Sequence, residues 1–313
     1  MSEERDLLRD TVASLVEKHA DPEAVRRAME SERGYDEKLW TLLCEQVGVA
    51  ALVVPEELGG AGGELGDAAV VIEELAKGLV PTPLLGTTLA ELALLAADEP
   101  DGDTLEALAG GASIGAVVLD PGYVVNGDVA DVVVAVDDGK LTRWTEFTSH
   151  PVTSMDPTRR LARLEADATA PLGTDPGIAD TAAILVAVEQ IGAASRCLDL
   201  TVAYTRDRVQ FGRPIGSFQA LKHRMADLYV KVQSARALVD DAVAAPSPTS
   251  AALARIAASE AFTAVAAESV QMHGGIAITW EYDIQLYFKR AHGSAQLLRP
   301  PRDVLRSLES EVF

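Results

Sequence analysis

Arg206, Arg208, Gln210, Arg213 and Gln219 crowd around one break in an otherwise helical pattern. Guanidinium forks make bidentate, charge-assisted bonds to phosphate, so such a cluster suits an anionic ligand. The same side chains also suit a solvated helix end whose arginines offset the macrodipole, and composition alone does not choose between the two. The break is made by Gly212, Pro214 and Gly216, after an apolar helical pattern that begins near Ile178. Periodicity resumes at Phe218, Leu221, Met225 and Leu228, with Ser217 as the predicted N-cap.

Arg208-Val209-Gln210-Phe211-Gly212, then Ile215, Phe218-Gln219 and Met225-Ala226-Asp227, resembles the acyl-CoA dehydrogenase flavoproteins. A second motif of that family, Gln271-Met272-His273-Gly274-Gly275, follows at the expected distance. The resemblance implies that Arg208 reaches the pyrophosphate of an FAD shared at a subunit interface. It also implies that Gln210, Phe211, Phe218, Gln219, Gln271, Gly274 and Gly275 line the same dinucleotide, the glycines admitting a close approach of backbone.

The chain has 313 residues, a net charge of −21 and a pI near 4.6. The length allows two or three structural units with a substantial core. The charge argues against nucleic acid and anionic membrane as partners. Cys44 and Cys197 lie in apolar helical patterns and read as buried thiols of a reducing compartment. No spacing of His and Cys suggests a metal site. The charged start, MSEERDLLRD, has no apolar leader core, and no apolar run reaches membrane-spanning length, so the expected location is cytoplasmic.

The elements that must position the motifs are mostly helical. Residues 1–112 read as an N-terminal helical domain, broken by a Gly-rich loop from Val54 to Gly63. That loop is either a plain connector or, as the resemblance implies, a neighbour of the acyl pocket. Residues 113–173 change to β-branched runs, Ile114–Val118 and Val129–Val136, with Asn126-Gly127 and Asp138-Gly139 as tight turns. Residues 174–313 hold four long apolar-periodic segments, Ile178–Thr205, Ser217–Ala244, Thr249–Met272 and Ile284–Leu298. Helices of that length span roughly 40 Å and imply a four-helix bundle. The fold class is therefore mostly α with a small β-domain, arranged as in the acyl-CoA dehydrogenases. Set beside that family, the β-domain is truncated. Its flavin-covering segments, Thr-Glu-Pro-x-x-Gly-Ser and Trp-Ile-Thr, have no counterpart, while Met155–Ala162 matches the strand that leads out of the domain in shortened members.

The family reaction needs a carboxylate base beside the substrate α-carbon, a contribution commonly worth ~10²–10⁴ in rate. The resemblance puts that base at Leu298 or, in a minority of members, at Ala182, and neither can accept a proton. Asp180 falls where many members carry an Asp near the CoA, but its usual Arg companion is Ala183. Glu281, Asp283 and His292 are substitutes in principle, or simply an exposed helix start and face. Lys289, Arg290, Arg299 and Arg302 form a second basic cluster, either a solvated face or a hold for an anion.

Kept dinucleotide contacts, a lost flavin wall and a lost base resemble the short subunit of heteromeric (α2β2) acyl-CoA dehydrogenases of actinobacteria. The implied partner is a full-length, base-bearing subunit that brings the acyl-CoA, a steroid side-chain thioester in that group, and passes electrons to an acceptor flavoprotein. A flavin-free scaffold and a homo-oligomeric dehydrogenase with an unorthodox base are the alternatives.

Overall fold

A computed structural model describes residues 3–312. Met1, Ser2 and Phe313 lie outside the described residues, including the first part of the charged start considered above. The N-terminal helices are α1 (Glu3–His19), α2 (Pro22–Glu30), α3 (Glu37–Val47), α4 (Leu65–Lys77), α5 (Leu84–Leu95) and α6 (Gly102–Ala109). Capping explains their edges. Asp36 accepts from the amides of Lys38 (2.9 Å) and Leu39 (3.1 Å) to start α3, and Gly48 ends it in the left-handed region at φ 73°.

A five-stranded sheet follows, in the order β1-β3-β4-β5-β2: β1 (Gly115–Val118), β2 (Val124–Val125), β3 (Val132–Asp137), β4 (Lys140–Val152) and β5 (Leu161–Thr174). β1 runs parallel to β3, and the other pairings are antiparallel. Asp138 and Gly139, at φ 44° and 72°, form the tight turn between β3 and β4, as their sequence predicts. β4 and β5 make a long ribbon whose connecting loop, residues 153–160, returns to the helices. Here one expectation needs correcting: within Met155–Ala162 only Leu161 and Ala162 are strand. The rest is a loop held by Asp156, which accepts from the Thr158 amide at 3.0 Å and hydroxyl at 2.6 Å.

The C-terminal bundle holds α7 (Ile178–Asp207), α8 (Gln219–Ala244), α9 (Pro248–His273) and α10 (Ile284–Gln296). Asp175 starts α7 by accepting from the amides of Gly177 (3.0 Å) and Ile178 (2.9 Å). Ser247 and Ser250 form a capping box at α9, with Pro248 at its first position. A further helix, α11 (Pro301–Val312), was not foreseen. The most apolar 18-residue window of α7, with mean hydropathy 1.3, passes for a membrane span by length and composition, which corrects the expectation of no such run. However, 72% of that window is buried against its neighbours, the setting of a core helix. Phe262 is fully buried in this packing, and truncating such a ring costs about 3–5 kcal/mol.

One charged knot ties the β-ribbon loop to the bundle. Arg290 bonds Asp156 at 2.7 Å and also pairs with Glu189, which pairs in turn with Arg159. Burial lowers the Arg290 guanidinium, but Asp156 and Glu189 more than offset it, so Arg290 ends up raised. Arg290 is therefore not part of an exposed basic cluster, as its neighbours in sequence suggested. Lys289 instead caps the Trp280 ring at 4.6 Å, and Arg299 donates to the Asp303 carbonyl at 3.2 Å.

Candidate functional site: a cationic corner and an apolar cavity

The corner begins where α7 stops, with the Arg208 amide donating to the Tyr204 carbonyl at 2.9 Å. The chain then forms a miniature hairpin, β6 (Val209–Gln210) against β7 (Arg213–Pro214). Phe211 (φ 53°) and Gly212 (φ 77°) are its two turn residues, both left-handed. An aromatic residue in that region is an outlier that something else must hold or use. Phe211 is 92% exposed at the hairpin tip. Its ring meets Phe218 edge-on at 6.3 Å, and the Arg213 guanidinium lies 3.9 Å over Phe218.

Ser217 is not the N-cap of α8. Residues 215–217 make a tight 3-10 turn, Ser217 donates its hydroxyl to the Pro214 carbonyl at 2.6 Å, and the helix starts after Phe218 with no side-chain cap. The Gln210 amide bonds back to the Val209 carbonyl at 2.9 Å, and Gln219 lies 3.4 Å from the His223 ring.

The two sequence motifs meet at one end of the bundle. Tyr204 stacks on His273 with centroids 4.1 Å apart, and Tyr282 packs edge-on against both rings. The His273 ring bonds the Ser269 carbonyl at 2.8 Å, and burial lowers its basicity. Gln271, Gly274 and Gly275 are exposed beside it. Gly274, at φ 66° and ψ −144°, has a conformation that a side chain would strain. A Cβ at Gly212, Gly274 or Gly275 would meet nothing within 4 Å, so the main chain there is bare to an outside group.

Arg208 is exposed on the rim of a cleft of about 490 Å³ that Tyr204, His273 and Tyr282 also line. Asp207, Glu281 and Asp283 line it too, so a phosphate would meet Arg208 outside the cleft rather than within it. Asp283 pairs with Arg26 at 2.8 Å, and burial, only partly opposed by Arg26, raises its carboxyl. That pairing ties Asp283 to α2 rather than to any substrate.

The second site is a cavity of about 690 Å³ between α5, the sheet and the α10–α11 junction. Leu85, Leu89, Val117, Val125, Met155 and Val186 are among its walls. Ala182 from α7 and Leu298 from beyond α10 line it together. Its lining includes no Lys or Arg, while Asp120 stands at one edge. Leu298 holds a left-handed backbone at φ 67°.

Residues 2–111 match the N-terminal domain of acyl-CoA dehydrogenases, and residues 178–297 match their C-terminal domain. The chain is 72% identical to acyl-CoA dehydrogenase IpdE2 of Mycobacterium tuberculosis, over 99% of this chain and 98% of that protein.

The chain belongs to the acyl-CoA dehydrogenase family.

Among solved structures of acyl-CoA dehydrogenase fold, the ChsE4-ChsE5 complex from Mycobacterium tuberculosis superposes with a TM-score of 0.91 at 25% identity, covering 100% of this chain and 98% of that one. A Tcur3481-Tcur3483 steroid ACAD variant gives 0.90 at 25% identity, covering 99% and 98%. Family members use FAD, and the residues here divide in how they fit it. The corner offers an exposed guanidinium and bare backbone to an anion arriving from outside. The cavity, without a cation and with Asp120 at its edge, does not suit the anionic part of a dinucleotide.

The sequence had not marked the Asp156–Arg290–Glu189 knot. Its signal was weak, because each member sits in a locally ordinary setting and only the fold assembles them.

Proposed function

We propose that this chain is a base-less subunit of a heteromeric, FAD-dependent acyl-CoA dehydrogenase. In this reading it holds the adenine and pyrophosphate end of a flavin whose ring lies in a full-length partner subunit. The observation that carries the proposal is that Ala182 and Leu298 line the same cavity, so both positions at which the family would carry its base present only hydrocarbon to it. Arg208 would bind the pyrophosphate, with a charge-assisted bond worth about 1.5–3 kcal/mol. Gln271 and the bare main chain at Gly274 and Gly275 would orient it, with Gln210 and Gln219 adding polar contacts. Phe211 and Phe218 would present an aromatic edge to the nucleotide and exclude water. The flavin, when bound, supplies the hydride acceptor for α,β-dehydrogenation, and the α-proton goes to a base that this chain does not provide.

The similar solved structures named as a complex and as a steroid ACAD support a mixed assembly with a steroid-derived substrate; in this reading the assembly is α2β2, the substrate a side-chain CoA thioester, and the electrons pass to an acceptor flavoprotein. The exposed apolar residues Tyr229, Val230 and Leu238 on α8 support an extensive partner contact along the bundle. A flavin-free scaffold is the second reading, favoured by the carboxylates that line the Arg208 cleft. Co-expression with a full-length family member tests both. A mixed complex that gains flavin and acyl-CoA turnover over the partner alone supports the shared flavin, and a complex whose flavin content and activity equal those of the partner alone supports the scaffold.

A further inference from the structure

The cleft beneath Arg208 has a chemistry that the corner above it does not use. Its volume of about 490 Å³ is within the size range of small-molecule sites. Leu200, Tyr204, His273, Tyr282 and Ile284 give it apolar and aromatic walls, and Asp207, Glu281 and Asp283 supply carboxylates.

Those carboxylates are not equally satisfied. Asp283 is answered by Arg26 at 2.8 Å. Neither Asp207 nor Glu281 has an ion-pair or hydrogen-bond partner for its carboxylate among the described residues. Arg208, exposed on the rim, is the one cation of the lining, so a negative charge stays unanswered. The net charge of −21 on the whole chain draws cations to such a place.

A nearly buried polar group adds an independent demand. His273 is only 5% exposed, yet it lines the cleft. Its ring stacks on Tyr204 and meets Tyr282 edge-on at 6.0 Å. Nδ1 lies 2.8 Å from the Ser269 carbonyl, which only accepts, so Nδ1 carries the hydrogen. Nε2 of the neutral ring is then an acceptor, and no described residue donates to it. Carboxylates, an acceptor nitrogen and aromatic walls together suit an organic cation that bears N–H groups. A quaternary ammonium would leave Nε2 unpaired, although aromatic walls also suit one. No group of side chains able to hold a metal ion is present among the described residues.

We propose that this cleft binds a primary ammonium group on an apolar stem, the ammonium donating to Asp207, Glu281 and Nε2 of His273 while the stem packs on Leu200 and Tyr282. The group comes from a small amine or from a lysine side chain of a partner subunit. No bond is made or broken there. The proposal does not rest on where any flavin is held, because the cleft is complete within this chain.

The test is a ligand-observed NMR titration of the full chain at neutral pH with phenethylammonium, with phenylethanol and phenylacetate as the neutral and anionic controls. The expected result is saturable binding of the ammonium, roughly 10-fold tighter than either control. Asp207→Asn with Glu281→Gln should weaken it roughly 10-fold, the sum of two exposed charge contacts. His273→Phe keeps a ring in the stack but not the acceptor, and should weaken it about 3-fold or more. Glu146→Gln with Asp167→Asn removes the same charge from the exposed β-ribbon and should leave the affinity unchanged. Circular dichroism verifies that each variant folds. Absence of saturable ammonium binding, a control that binds as tightly, unchanged affinity in either cleft variant, or an equal loss in the ribbon variant overturns the proposal. Repeating the titration on the mixed complex separates the two sources: a probe shut out means that a partner lysine fills the cleft, and a probe still bound means a small amine. The flavin content of that complex reports separately on the shared cofactor, so the two ideas fail independently.

Discussion

Tyr204 lies flat on His273, with ring centroids 4.1 Å apart and planes within 19° of parallel. That stack clamps the end of α7, which runs into Arg208, to the end of α9, which runs into Gly274 and Gly275. Aromatic pairs contribute about 0.5–1.5 kcal/mol beyond the area they bury. Tyr204→Leu should therefore leave the chain folded but loosen the corner. The expected outcome is a mixed complex that releases flavin roughly 2–10-fold more readily, measured by fluorescence of released flavin on dilution.

Glu91 is fully buried in α5, and neither carboxyl oxygen has a hydrogen-bond partner. Burial raises its pKa well above the ordinary carboxylate range, so it is held neutral in the native state. The sign follows directly. Below the unfolded value both states are protonated and nothing is lost. As pH rises from there towards the folded value, the unfolded chain alone ionises and native stability falls. Glu91→Met removes both the titrating group and its unpartnered oxygens, and should raise stability at neutral pH by about 1–3 kcal/mol and flatten that decline, as read by urea unfolding at several pH values.

The Asp156–Arg290–Glu189–Arg159 knot joins the ribbon loop to α7 and α10, and all four side chains are nearly buried. Removing one partner leaves a buried charge without compensation, at a cost of about 3–5 kcal/mol. Arg290→Met should show that loss in denaturant unfolding. It should also increase proteolysis at residues 153–160, because Arg290 donates to the Thr158 carbonyl at 2.9 Å and anchors the loop directly.

Burial pushes the thiols of Cys44 and Cys197 up to about 12. Thiolate is the reactive form, so both should resist iodoacetamide at pH 8 in the native chain and react only after unfolding. Mass spectrometry of the alkylated protein checks this.

The bundle was legible because its helices are long and strongly periodic, and Asp138-Gly139 announced its turn through residues that tolerate left-handed backbone. The corner was legible as a break between periods. What could not be read were features made by long-range contact. Ser217 has an N-cap's chemistry, yet a 3-10 turn sends its hydroxyl to the Pro214 carbonyl. Arg290 stands beside Lys289 like a surface residue, yet it faces inward to Asp156 and Glu189. Met155–Arg160 is held by those ion pairs rather than by strand pairing, and α11 begins at a proline that reads equally well as a stop. His292 gave no local sign that its ring borders the cavity.

The most direct test is the visible flavin absorbance of three preparations: this chain alone, the chain co-purified with a full-length acyl-CoA dehydrogenase partner, and that complex carrying Arg208→Ala. A shared cofactor predicts a colourless chain, a yellow complex and a complex bleached by the substitution. A chain that carries flavin and turns over acyl-CoA by itself, or a complex whose colour is indifferent to Arg208, contradicts it.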